Sequence, residues 1–155
     1  MKSVWFYNFP VGTTGIAEED GALSRVFLAR DKHGKDFEVR ETPLLKKAAA
    51  QLAEYFNGTR GAFDLPLAPR GTEFQLKVWR ALQTIPAGLT RSYGDIAVQI
   101  GRAKACRAVG MANNRNPLLI IIPCHRVIGK DKTLTGYAAG LSVKKYLLEL
   151  ETVYA

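Results

Sequence analysis

The chain has 155 residues, of which 47% are hydrophobic and 23% charged, with a formal net charge of +8 at pH 7. That balance suits one ordinary domain or two small packed lobes and excludes a disordered chain. No apolar run is long enough to cross a bilayer, and the first residues lack a signal-peptide cleavage pattern, so a cytoplasmic protein is expected.

Along the chain, the first ~40 residues read as β-structure. Val4, Trp5, Phe6 and Tyr7 form a strand-prone run, Pro10-Val11-Gly12 and Asp20-Gly21 mark turns, and residues 23–28 make a second apolar run. Thr42 and Pro43 have the chemistry of an N-cap and first helical position. The helix they open carries Leu44, Leu45, Ala48, Leu52, Tyr55 and Phe56 at helical spacing and stops at Asn57-Gly58. Residues 64–71 contain Pro66 and Pro69 and read as a linker. This predicts two lobes, 1–65 and 66–155, in an α+β arrangement.

The second lobe reads as mostly helical. Thr72-Glu73-Phe74-Gln75 has the capping-box pattern, followed by an apolar stripe of Phe74, Val78, Trp79, Leu82 and Ile85 that ends at Pro86. Ser92 caps a short helix with Ile96, Ala97 and Ile100, stopped by Gly101. A further helix is predicted from near Ala103 to about Asn113, broken at Asn116-Pro117. Residues 118–122 read as a buried strand leading into Pro123-Cys124-His125-Arg126. A last helix opens at Leu141, with Val143, Tyr146, Leu147 and Leu150 predicted to face inward.

The charge is not evenly spread. Residues 1–65 are neutral, whereas residues 91–126 hold Arg91, Arg102, Lys104, Arg107, Arg115 and Arg126 against Asp95 alone. A basic segment of this kind suits a polyanion. Two short helices meeting at Gly101 fit a helix-turn-helix. The second is nearly all small residues around Arg107: Ala103, Ala105, Cys106, Ala108, Gly110 and Ala112. Such a bare helix suits close approach to a minor groove with one inserted Arg. It equally suits a tightly packed helix pair, and spacing does not choose between the two.

Cys124 follows an apolar run and is bracketed by Pro123 and His125. A thiol attacks as thiolate, and an imidazole or cation nearby shifts that balance. A lone cysteine after an apolar run is more often a buried structural residue, and it is the surrounding motif that argues for reactivity. Cys106 reads as packing. With only two cysteines and the imidazoles of His33 and His125, neither a disulfide framework nor a zinc site is predicted.

The segment Ile121-Ile122-Pro123-Cys124-His125-Arg126-Val127-Ile128 closely resembles the active-site signature of the O6-alkylguanine-DNA alkyltransferases. Pro10-Val11-Gly12, Glu54-Tyr55-Phe56-Asn57-Gly58, Ser92-Tyr93-Gly94, Arg107-Ala108-Val109-Gly110, Asn116-Pro117, Gly136-Tyr137 and Lys144-Lys145-Tyr146-Leu147-Leu148 fall in that family's order, so the resemblance covers nearly the whole chain. It implies a ribonuclease H-like N-terminal lobe and single-turnover repair of double-stranded DNA. Cys124 would accept the alkyl group from O6 of guanine, activated through a water by His125 with Glu151 behind it. Arg107 would enter the base stack, with Ala108, Gly110, Ser92, Tyr93 and Arg115 on the DNA. Tyr93 would also donate a hydrogen bond to the guanine ring and help rotate the nucleotide out. Asn116 would be a hinge, Val127 and Ala138 would read the guanine edge through their backbones, and Tyr137 would wall the pocket. No metal or redox cofactor is implied, and a monomer is expected. O4-alkylthymine is left open as a further substrate. Ala139 stands where many relatives have glycine, which argues against bulky adducts such as benzyl.

Three other readings compete: a non-catalytic binder of alkylated DNA, a Cys–His hydrolase and a redox sensor. The binders usually have tryptophan at the cysteine position. The hydrolase needs an oxyanion hole and an orienting carboxamide or carboxylate that the pattern does not supply. The sensor needs a resolving thiol.

Overall fold

A computed structural model describes residues 2–31, 36–131, 137 and 139–155. The chain forms two compact units, Met1–Arg70 with Pro117–Ile121, and Gly71–Asn116 with Ile122–Ala155.

The first unit is built on a four-stranded sheet of order β3-β2-β1-β4, with β1 at Lys2–Phe9, β2 at Gly12–Glu19, β3 at Ala22–Leu28 and β4 at Glu38–Val39. β1, β2 and β3 run antiparallel, and β4 joins β1 in parallel. The β2–β3 turn places Asp20 at φ 51° and Gly21 at φ 85°, the pair of left-handed residues that a tight two-residue hairpin requires. β2 has little strand propensity of its own and is held by pairing on both sides. Its Gly15 is needed because an added Cβ would lie 2.4 Å from the Phe27 ring.

Helix α1, Pro43–Phe56, begins as the sequence predicts: Thr42 accepts from the Leu45 N–H at 3.2 Å and Pro43 takes the first turn. It buries Leu45, Ala48, Leu52 and Tyr55, packs on β1 and β2, and stacks Phe56 on Phe9 at 5.3 Å.

Two segments differ from the sequence reading. Residues 64–71 are more than a linker, because Leu23 N–H donates to Pro66 O and Ala68 N–H to Leu23 O, both at 2.8 Å. The predicted strand at 118–122 is reduced to one bridge, Val26 with Leu118. Ile120 then turns the chain at φ 71°, a conformation that ends strand pairing. Pro117–Ile121 therefore belongs to the first unit, although the sequence assigns 66–155 to one lobe.

The second unit holds α2 (Glu73–Leu82), β5 (Arg91–Ser92), α3 (Tyr93–Gln99), α4 (Cys106–Asn114), β6 (Val127–Ile128) and α5 (Leu141–Leu150). Both expected caps form: Thr72 with Gln75 on α2, and Ser92 with Asp95 on α3. Its core contains Val78, Trp79, Leu82, Ile85, Ile96, Val109 and Leu147.

α4 starts at Cys106 rather than near Ala103, because residues 102–105 form a turn closed by Ala105 N–H on Arg102 O at 2.8 Å. α5 buries Val143, Lys144 and Leu147. Tyr146, expected inside, is 38% exposed, and Leu150 is half-buried. The inward stripe runs through 143, 147 and 151, one turn apart, and Lys144 takes the place expected for Tyr146. Among the described residues no helix is long and apolar enough to cross a membrane.

Candidate active site and nucleic-acid interface

Cys124 opens a single 3-10 turn, Cys124–Arg126, and is 3% exposed. Its N–H donates to Ile122 O at 2.8 Å, and its carbonyl accepts from the Val127 N–H. Burial pushes the thiol above its ordinary value, while hydrogen bonds from Asn116 and Tyr137 and the charge of Lys144 act in the opposite direction. The resting group is a protonated thiol, so the neighbouring imidazole and cations do not make a standing thiolate.

His125 is fully buried, with Nε2 2.6 Å from Glu151 Oε2. Arg126 grips the same carboxylate, Nε to Oε1 at 2.7 Å and Nη2 to Oε2 at 2.9 Å, and donates from Nη1 to Ile85 O at 2.7 Å. Burial alone would raise the Glu151 pKa, but the bonds from His125 and Arg126 outweigh it and hold the acid at about 2. An ionised carboxylate can only accept, so the proton of His125 sits on Nε2 and Nδ1 carries the lone pair. Burial lowers the His125 pKa, outweighing the upward pull of the Glu151 carboxylate, and favours the neutral ring. Nδ1 is buried and has no hydrogen-bond partner among the described residues. The arrangement is a neutral base, aligned by a carboxylate, next in sequence to a protonated thiol.

Asn113 of α4 and Asn116 just beyond its end also hold this region. Asn113 Nδ2 donates to Cys124 O at 3.3 Å and Asn116 Nδ2 to Ile122 O at 2.7 Å. The Trp79 indole N–H fixes the same end of α4 through Ala112 O at 2.9 Å. Lys144 is buried with its ammonium 5.9 Å from the Tyr137 ring centroid.

On the α3–α4 side, Arg107, Ala108, Arg102 and Lys104 are exposed, as is Arg115 at the end of α4. Exposure of Ala103, Cys106 and Ala108 argues against the packed-pair reading of the bare helix, since these small residues are left uncovered. Cys106 is likewise surface rather than packing. Gly110 is half-buried, and a Cβ there would lie 3.8 Å from the Tyr93 ring, which brings Tyr93 against α4. Ser92 caps α3 directly before Tyr93.

The structure thus brings Cys124, Asn116 and Tyr137 together, and joins His125 to Glu151. Val127 is buried in β6, paired in parallel with Arg91. Ala138 lies outside the described residues. Sequence reasoning did not single out Asn113, Arg126 or Lys144 as site residues. Arg126 stood in the motif itself and Lys144 in a matched segment, whereas Asn113 carried no signal beyond marking a helix end.

The fold and site define a class: a helix-turn-helix unit with an exposed bare helix, carrying a buried cysteine beside a carboxylate-locked histidine, on the same chain as a sheet-and-helix unit. Residues 73–153 match the DNA binding domain of 6-O-methylguanine DNA methyltransferase, and residues 4–69 match its ribonuclease-like domain. The chain belongs to the 6-O-methylguanine DNA methyltransferase family.

It is 49% identical over 151 residues to the constitutive methylated-DNA–protein-cysteine methyltransferase of Bacillus subtilis (strain 168), spanning 93% of this chain and 92% of that one. The crystal structure of Mycobacterium tuberculosis O6-methylguanine methyltransferase matches with a TM-score of 0.92 at 42% identity, covering 100% of this chain and 95% of the other. A Mycobacterium tuberculosis OGT solved in complex with DNA matches equally, at TM-score 0.92 and 43% identity, covering 99% and 94%.

Proposed function

We propose that this chain repairs double-stranded DNA by moving an alkyl group from O6 of guanine onto Cys124, once per molecule. The observation that carries the reading is the buried Cys124, next in the chain to a fully buried His125 whose Nε2 lies 2.6 Å from Glu151 Oε2. The target base is inaccessible inside a duplex and has to be extruded, at a cost of a few kcal/mol. Arg107 fills the stack it leaves and Tyr93 steers it, with Ala108 and Gly110 allowing close backbone approach and Ser92 and Arg115 at the flanks.

In the pocket the thiol proton passes through a water to His125 Nδ1, and sulfur attacks the alkyl carbon. The S–C bond forms as the C–O6 bond breaks, and the electron pair leaves on guanine, which takes a proton from Tyr93. Val127 presents its backbone to the guanine edge, Tyr137 walls the pocket and Asn116 is the hinge. The thioether product has no route back, so the protein is consumed. The site's chemistry calls for no metal or redox group. The two unbridged thiols support a reducing, cytoplasmic setting, and the proposed form is a monomer.

The test is a titration of a duplex bearing one O6-methylguanine, with the remaining lesion counted after digestion. Lesion loss should rise linearly with protein and stop at one per molecule. Repeated turnover would favour a hydrolase-type enzyme, and tight binding without loss of the lesion would favour the non-catalytic binder.

A further inference from the structure

Asn113 is 1% exposed on the last turn of α4, a place where an aliphatic side chain would pack without leaving polar atoms dry. Its Nδ2 donates to the Cys124 carbonyl at 3.3 Å, while its Oδ1 is buried with no hydrogen-bond partner among the described residues. Asparagine is also a poor helix former at such a position. An amide that spends one of its two polar groups on nothing is costly, and the contact it does make is the one on Cys124.

The accepting carbonyl belongs to the turn that carries both chemical groups of the site. The Cys124 carbonyl also takes the Val127 N–H, so the thiol of Cys124 and the backbone of Val127 sit at the two ends of one hydrogen-bonded turn. Asn113 holds that turn from α4, whose exposed face carries Arg107 and Ala108. The same end of α4 is fixed by the Trp79 bond to Ala112 O. A displacement of this turn by a fraction of an ångström changes the distance from sulfur to the alkyl carbon, to which a displacement reaction is steeply sensitive.

We propose that Asn113 is a positioning residue for alkyl transfer, fixing the Cys124–Arg126 turn to the DNA-facing helix through the Cys124 carbonyl. It does not touch the reacting atoms. The inference rests on the alkyl-transfer reading above.

The experiment compares Asn113→Leu and Asn113→Asp with the unmodified protein, measuring the first-order rate of methyl transfer at saturating lesion duplex alongside duplex affinity. Leu has nearly the same shape and no donor, so its rate should fall about tenfold at every pH with affinity unchanged within about twofold. Asp keeps the shape and lacks a donor while ionised. Burial and the negative end of α4 raise its pKa, and once protonated it donates again. Its rate relative to the unmodified protein should therefore be low at pH 8 and recover as pH falls towards 6.

A Leu variant with an unchanged saturating rate overturns the proposal. So does an Asp variant equally slow at every pH, which would leave Asn113 a packing residue, and so does a loss confined to DNA affinity. If the unmodified protein itself gains no methyl group, the alkyl-transfer reading fails and this inference falls with it. If that protein is methylated and the variants match it, only this inference fails.

Discussion

Glu151 Oε2 lies 2.6 Å from His125 Nε2, in a site where the carboxylate is 1% and the imidazole 0% exposed. The pair fixes which nitrogen holds the proton, and Arg126 balances the charge. Glu151→Gln removes the negative charge that holds His125 and leaves Arg126 buried without its carboxylate. Single-turnover methyl transfer is expected to slow on the order of 100-fold. Thermal or urea unfolding should show a loss of about 3–5 kcal/mol, the scale for breaking a buried ion pair. Unchanged stability would mean that Arg126 and Glu151 are not paired as described.

Acid should destabilise the fold in two stages. His125 titrates at 6.5 when exposed and lower when folded, so below that pH the unfolded chain binds a proton that the native chain refuses. Stability then falls as pH drops through 6.5. Glu151 contributes stability that is complete above its ordinary 4.5 and is lost as pH falls towards about 2. Melting temperatures followed from pH 8 to 3 should stay level above 7, decline below 6.5 and steepen below 4.5. Glu151→Gln should remove most of the lower stage.

The two thiols should differ sharply towards a small alkylating reagent. Cys106 is exposed at the start of α4, whereas Cys124 is buried with its pKa raised. Iodoacetamide on the native protein at neutral pH, read by peptide mass, should label Cys106 at least roughly tenfold faster than Cys124. Equal labelling would contradict a protonated, enclosed nucleophile.

DNA binding should separate into electrostatic and intrusive parts. Arg115 and Arg107 are exposed and structurally dispensable, so Arg115→Ala and Arg107→Ala should each change stability by less than about 0.5 kcal/mol. If Arg115 meets a phosphate, as proposed, Arg115→Ala should lower the salt slope of duplex binding by about 1. If Arg107 fills the gap left by the flipped base, as proposed, Arg107→Ala should leave binding to undamaged duplex nearly intact and slow lesion repair. Ala108→Leu, which adds bulk to the bare face of α4, should weaken binding to both duplexes.

Local chemistry made much of this legible in the sequence. Thr42, Thr72 and Ser92 each cap the helix they were expected to open, because a cap needs only its own turn. Cys124 and His125 stood in a motif and Glu151 was implied by the family resemblance, and His125 and Glu151 meet although 26 residues apart.

What failed was non-local. Residues 118–122 look like a strand, yet the left-handed Ile120 turns them away after one bridge. Tyr146 fits a helical stripe, but a buried Lys144 holds the inward position. Asn113 gave no sign, because its meaning depends on a carbonyl eleven residues away.

The central claim is that Cys124 keeps the alkyl group. Intact mass is the direct measurement, taken after mixing the protein with an equimolar duplex containing one O6-methylguanine, in parallel with Cys124→Ser. The expected result is a stoichiometric gain of one methyl group, mapped to the peptide bearing Cys124 and absent from the variant. No gain, or a gain that survives Cys124→Ser, would contradict it.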